Sequence, residues 1–369
     1  MSGVRREAMA ETATPKQATL QAAGTAFSND EWTQLGQVMN GYIYSQTLAT
    51  ACDLGLFTFL SENPGATREA LRRTMGLTAH GTRVLMLAAC AAGLVRRDGE
   101  SGGYRNSEMA EKALVAGSPY CMLPFIQFNH RIQQRCSSRL TTALQEGRNA
   151  GLDEFPGPGA TLYERLAGYP ELESLFQQAM GAYTRLSPRV LDLAEFSEVR
   201  HLLDVGGGDG SNAIRLCRRF PRLQVTVLET PSVSRIARET TARSGLGGRI
   251  ACVEGDMFAD LWPQGCDGVL FSHIVEIFSP ERIRILYGRA FSALPPEGKM
   301  FVWTIMANDS ETAGLQAAKS SIYFLCAASG EGMAYPGTEH EQAIRENGFR
   351  TVRRYSAAET DHGALVAIK

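Results

Sequence analysis

The sequence predicts an α/β protein: a doubly wound parallel sheet in the C-terminal half, preceded by a mainly α-helical region with a winged-helix pattern. Three observations predict it. From residue 201 onward, short apolar runs alternate with segments whose apolar residues recur at helical spacing, the pattern of crossover-connected parallel strands. The first of these units, residues 201–229 (HLLDVGGGDGSNAIRLCRRFPRLQVTVLE), reads as strand, glycine turn, helix, strand and acid. Before residue 195 the periodicity is helical almost throughout, broken by two short strand-like stretches near residue 100.

In chain order, residues 1–27 are polar and rich in Ala and Thr, with no apolar signal core, and are expected to form a disordered tail. Residues 29–60 predict helix with a break at Gly55. Their apolar stripe (Leu35, Val38, Met39, Tyr42, Ile43, Leu48, Ala49, Ala51, Leu54) is too broad for a helix with one solvent face. Residues 66–93 predict two short helices separated at Thr78-Ala79. Residues 94–97 and 104–106 then suggest a two-stranded wing, closing a winged-helix domain over 28–115. Helix–turn–helix–wing is also a DNA-binding architecture. The second helix begins HGTRVLML, with little basic surface to enter a groove, so the fold is read as a packing module. A regulator would instead show salt-dependent DNA binding.

Residues 116–195 predict a helical connector, interrupted over 151–159 where two prolines exclude regular helix. Domain 196–369 carries the strands, placed at 202–205, 224–228, 250–254, 268–271, 299–304, 351–356 and 364–368. The last two are expected to form an edge hairpin with 360–363 in its turn.

Composition narrows the function. Of 369 residues 44% are hydrophobic and 21% charged, with a net charge of -2, so no basic field exists to hold nucleic acid or an anionic membrane. No apolar run reaches membrane-spanning length. The eight cysteines are scattered without a C-x-x-C pair, which suits a reducing cytoplasm and small core side chains better than zinc or disulfides.

The chemistry-bearing stretch is the glycine turn. Gly206, Gly207, Gly208 and Gly210 allow a sharp turn and close approach of a ligand to main-chain N–H groups. Glu229, ending the second strand, suits the paired hydroxyls of a ribose. A dinucleotide fingerprint would need glycine where Ser211 stands. The order Asp204-x-Gly206-x-Gly208-x-Gly210, with Gly255-Asp256-Met257-Phe258 after the third strand, resembles motif I and its companions in class I S-adenosylmethionine-dependent methyltransferases. That resemblance implies S-adenosyl-L-methionine as cofactor, Glu229 on its ribose and Asp256 and Met257 beside its adenine. Phe258 and Ser272 complete the candidate cofactor set.

From about residue 30 the whole chain is similar to the small-molecule O-methyltransferases of plant phenylpropanoid and bacterial natural-product pathways. The segments GLTAHGTRVLMLAACAAGLV, TLYERLAGYPELESLFQQAM, LLDVGGGDGSNAIRLCRRFP, GDMF, RILYGRAFSALPPEGKMFV and ENGF carry the likeness. It implies a Rossmann-like methyltransferase domain, an N-terminal winged-helix dimerisation domain and a homodimer whose N-terminal helices close the partner's pocket.

The catalytic positions depart from the family. Its His-Asp-Trp after the fourth strand, with histidine as general base, falls on Glu276, Ile277 and Phe278. The acid that supports the base falls on Thr304. A second acid should fall near Ala334-Tyr335-Pro336, and Glu331 is close but out of register. Methyl transfer needs alignment of donor and acceptor and removal of one proton. A carboxylate between Val275, Ile277 and Phe278 can take that proton, so Glu276 is the candidate base; the alternative is an exposed helix-start residue. His273, three residues earlier, is the second catalytic candidate. The pair lacks an evident third ligand, so no metal is expected.

Acceptor contacts are expected from Met180 and Tyr183, from Phe125, Phe128, Asn129 and His130 on a roofing helix, and from Tyr323, Phe324 and Met333. Such an aromatic, methionine-lined pocket suits a flat small molecule, aromatic or keto-acid. The sequence thus points to methylation of a small aromatic or enolisable precursor in natural-product biosynthesis, at carbon slightly before oxygen. O-methylation with Glu276 in place of histidine is the second reading, and a methyltransferase fold without methyl transfer the third.

Overall fold

The computed structural model describes residues 27–186, 193–357 and 361–369. The expected tail therefore lies outside the described residues, apart from Phe27. The chain divides into two compact units, residues 1–44 and 45–369.

The first helix among the described residues is Asn29–Asp53. In the first unit it exposes large apolar side chains, among them Trp32 (64%), Val38 (78%) and Tyr42 (70%), a surface that water alone disfavours. Replacing Val38 and Tyr42 together by Asp is expected to leave a folded monomer in light scattering after gel filtration. A dimer of unchanged stability would show that this face is not the interface.

In the second unit Gly55, at φ 68°, ends that helix, and Leu56–Glu62 follows. The helices Arg68–Thr74 and Ala79–Ala91 are each N-capped by a threonine hydroxyl, Thr67 and Thr78. The expected wing forms as β1 (Val95–Arg97) antiparallel to β2 (Tyr104–Asn106). Leu56, Phe57, Leu60, Leu71, Met86 and Leu94 form its core. The connector supplies the helices Leu123–Phe128, Leu140–Glu146, Leu162–Leu166 and Pro170–Leu186.

The sheet has seven strands: β3 (His201–Val205), β4 (Gln224–Glu229), β5 (Ile250–Glu254), β6 (Gly268–Ser272), β7 (Lys299–Ile305), β8 (Thr351–Ala357) and β9 (His362–Ile368). Their order is β5-β4-β3-β6-β7-β9-β8. The first five are parallel, and β9 and β8 add an antiparallel hairpin at one edge. Apolar residues alternate between two buried faces. Val269 and Phe271 pack with Ile283, Leu286 and Tyr287 on one side. Leu270 packs with Ala213, Leu216 and Phe196 on the other. Chain order reverses between β3 and β6, which opens a crevice at their carboxyl ends.

His362 and Gly363 were expected in the hairpin turn, but both are paired strand residues, opposite Ile305 and Thr304. Apolar alternation marks a strand only where side chains meet a core, and a histidine followed by glycine hides its start. No helix among the described residues is long and apolar enough to cross a membrane.

Candidate functional site

At the carboxyl end of β3 the chain turns through Gly206 (φ 69°) and Gly208 (φ 59°) and enters the helix Ser211–Arg219 from Gly210 (φ 80°). These left-handed conformations favour glycine. At Gly206 a Cβ would also lie 2.4 Å from Ile274 Cδ1. Glu229, at the end of β4, holds the loop: one carboxylate oxygen accepts from the Gly208 N–H at 3.0 Å, the other from the Thr230 N–H at 2.9 Å. Burial pushes the Glu229 pKa up, and these two bonds oppose the rise.

Beneath the turn lies Asp204, fully buried, with neither carboxylate oxygen hydrogen-bonded among the described residues. Burial first, then the Glu229 and Asp209 charges, push its pKa up to about 7. An acid whose folded pKa is raised favours the fold while protonated, and that contribution is lost as pH rises through about 7. Asp204→Asn is therefore expected to raise the melting temperature of the cofactor-free protein at about pH 8 by roughly 2–4 °C, with a smaller gain at about pH 5. An equal shift at both values in thermal melts would contradict this.

The other cofactor candidates border the same turn. Ser272, ending β6, accepts a 2.9 Å hydrogen bond from the Asn212 amide, tying β6 to the helix after the glycines. The Asp256 carboxylate caps the Phe258 and Ala259 N–H groups, leaving Asp256 itself exposed beside half-buried Met257. Phe258 meets Phe278 edge-on at 4.9 Å, with the Arg282 guanidinium 4.1 Å from the Phe258 ring. A left-handed glycine cradle, an acid at the end of β4 and a buried, unpaired carboxylate below fit a ribose-bearing cation such as S-adenosyl-L-methionine.

The candidate catalytic pair follows β6. His273 adopts φ 55°, a strained left-handed conformation for a non-glycine residue. The short turn Val275–Ile277 comes next. It places Glu276 Oε1 2.9 Å from His273 Nδ1. Glu276 is 1% exposed, which rules out the exposed helix-start alternative. Its Oε2 and His273 Nε2 are buried and have no hydrogen-bond partner among the described residues. The Glu276 charge also acts on Tyr163, Tyr183, Tyr287 and His340. Burial, partly opposed by that charge, holds His340 down at about 4.

Rings surround His273: Tyr183 at 5.7 Å, Trp303 at 5.7 Å and His362 at 5.3 Å between centroids. His362 stacks on Trp303 at 4.9 Å and shares a 3.0 Å hydrogen bond with the Tyr183 hydroxyl. Sequence reasoning missed Trp303 and His362. Trp303 reads as one more apolar residue of β7, and His362 reaches this cluster only through the antiparallel return of β9. Thr304, where the family acid falls, follows Trp303 in β7 and so points to the opposite face. It is buried, with its hydroxyl on the Ile305 carbonyl. Glu331 is engaged elsewhere, 3.0 Å from Arg282.

The acceptor candidates divide. Tyr183 joins the ring cluster, and Phe125 stacks on it at 5.2 Å. Phe128 is a core ring against Phe176 and Tyr323, with Met180 packed on the same cluster. His130 is held by Gln134 at 3.1 Å within a π-helical turn, Asn129–Gln133. Phe324 begins a second π-helical turn, Phe324–Ala328, and Met333 packs on the core under β6 and β7. Such turns recur at functional sites.

Known proteins resemble this chain over most of its length. The O-methyltransferase domain family matches residues 138–350, and the O-methyltransferase dimerisation domain matches 37–116. An L-tyrosine C(3)-methyltransferase of Streptomyces lavendulae is 30% identical, covering 91% of this chain and 92% of the relative. A 3-hydroxy-5-methyl-1-naphthoate 3-O-methyltransferase of Streptomyces sahachiroi is also 30% identical, over 91% of this chain and 94% of its own. Among solved structures, the S-adenosylmethionine-dependent methyltransferase SibL superposes with a TM-score of 0.79 at 34% identity, covering 92% of this chain and 99% of that one. Human N-acetylserotonin methyltransferase in complex with SAM gives 0.84 at 25% identity, over 94% and 99%. The chain belongs to the O-methyltransferase family of S-adenosyl-L-methionine-dependent enzymes that carry an N-terminal dimerisation domain.

Proposed function

We propose that this methyltransferase acts on a small aromatic acceptor in bacterial natural-product biosynthesis, that it methylates carbon, and that Glu276 is the general base. The observation that carries the reading is the buried His273–Glu276 pair beside the switch point, with Glu276 Oε2 unpartnered among the described residues. S-adenosyl-L-methionine supplies an electrophilic methyl group and keeps the sulfur–carbon bond pair, leaving as S-adenosyl-L-homocysteine.

The residues of the chain do the rest. Methylation of a ring carbon ortho to a phenol releases one proton net, and Glu276 Oε2 receives it. His273, with its proton on Nδ1, donates to Oε1 and holds the carboxylate in place. Tyr183, Trp303 and His362 pack around His273 and keep water from the carboxylate. Asp204, Gly206, Gly208, Gly210, Glu229, Asp256, Met257, Phe258 and Ser272 would hold the cofactor. The acceptor meets Met180, Tyr183, His130, Tyr323, Phe324 and Met333, with Phe128 behind them.

Carbon is favoured because the family's hydroxyl-deprotonating histidine and both supporting acids are replaced together. A relative named as an L-tyrosine C(3)-methyltransferase supports the carbon reading. O-methylation remains the second reading, favoured by the naphthoate relative. Incubation with the cofactor and tyrosine-type phenols is expected to yield products heavier by one CH2 unit that survive boron tribromide. Ether cleavage back to the starting phenol would favour the oxygen reading. A reducing cytoplasm fits the eight unpaired cysteines, and the dimerisation domain fits a homodimer.

A further inference from the structure

A cation stands near the ring cluster, and no carboxylate among the described residues pairs with it. Lys319, on the helix Leu315–Tyr323, is half-buried, and its Nζ lies 4.7 Å from the centroid of the Phe125 ring. Phe125 stacks on Tyr183, and Tyr183 meets His273 edge-on, so adjoining rings lead from the ammonium to the His273–Glu276 pair. Among the described residues no carboxylate lies within 4.0 Å of Nζ. Lys299, by contrast, is paired with Glu198 at 2.7 Å. Burial alone lowers the Lys319 pKa.

The ring face returns only part of what desolvating an ammonium takes away. An anionic group of the acceptor would complete the pairing. A single lysine among rings matches a single negative charge on a flat molecule, which is an aromatic carboxylate.

We infer that Lys319 receives the carboxylate of the acceptor, so that the substrate is a hydroxylated aromatic acid or amino acid with its phenol ring toward Glu276. This rests on the aromatic-acceptor reading above. Holding the molecule at both ends fixes which ring atom faces the base, the positional control that carbon methylation needs.

The test is calorimetric titration of the S-adenosyl-L-homocysteine-loaded full chain with matched pairs, L-tyrosine against L-tyrosinamide and 3-hydroxybenzoate against 3-hydroxybenzamide. At least one acid is expected to bind about ten-fold or more tighter than its amide. Lys319→Met is expected to abolish that preference by weakening the acid alone, and Lys319→Arg to restore most of it. Equal binding of acid and amide, a preference that survives Lys319→Met, or no binding of either acid would each overturn the assignment. The two readings fail separately. Acid binding that depends on Lys319 without methylated product would sink the methyl-transfer reading alone. Glu276-dependent methylation of the amides as readily as the acids would sink only the Lys319 assignment.

Discussion

Glu276→Gln is expected to lower turnover by about three orders of magnitude, within the range that general-base catalysis supplies. The change is nearly isosteric and keeps an oxygen to accept from His273 Nδ1, so the turn Val275–Ile277 should stay in place. What it removes is the capacity of Oε2 to take a proton. Binding of S-adenosyl-L-homocysteine, measured by calorimetry, is expected to be unchanged, because Glu229 and the glycine turn lie on other strands. Near-normal turnover would exclude Glu276 as the base.

Gly332→Ala is expected to have the next largest effect, through backbone alone. A Cβ at Gly332 would lie 2.3 Å from the Glu276 carbonyl oxygen and 2.5 Å from the Ile277 carbonyl carbon. Neither can swing aside as a side chain would. The turn is also tied down by the Ser329 hydroxyl on the Ile277 carbonyl. The added methyl must therefore push the Glu276 turn as a unit. Overpacking of this kind costs about 1–3 kcal/mol. A displacement of about 1 Å at the base costs about 100-fold in rate. The fall is expected in kcat, with cofactor affinity retained. Gly247→Ala, where nothing lies within 4 Å of the added carbon, is the control and should behave as wild type. Wild-type kcat in Gly332→Ala would show that the placement of this turn does not limit the reaction.

The two halves of the site were not equally legible. The cofactor half is local in sequence: Asp204, three positive-φ glycines and Glu229 fall within one strand–turn–helix–strand unit, so spacing alone places them together. Glu276 and His273 were legible as neighbours three residues apart, whereas their 2.9 Å contact depends on the left-handed backbone of His273 and the turn after it. Of the wall around them only Tyr183 was legible. Trp303, His362 and Tyr183 come from β7, β9 and the helix Pro170–Leu186, and only sheet register and helix packing bring them to His273. Lys319 gave no sequence signal, since a lysine on a helix usually faces water. Its meaning arises only from the Phe125 ring beneath it. The seven strands followed from apolar runs, whereas the start of β9 did not, because His362 and Gly363 have no strand-like pattern.

The most direct test of the account uses cofactor labelled with carbon-13 in its methyl group, offered with tyrosine-type phenols and aryl-pyruvates and read by NMR. A labelled signal is expected in the C-methyl region, absent with Glu276→Gln. A signal confined to the methyl-ether region, or a C-methyl signal undiminished in Glu276→Gln, would contradict it.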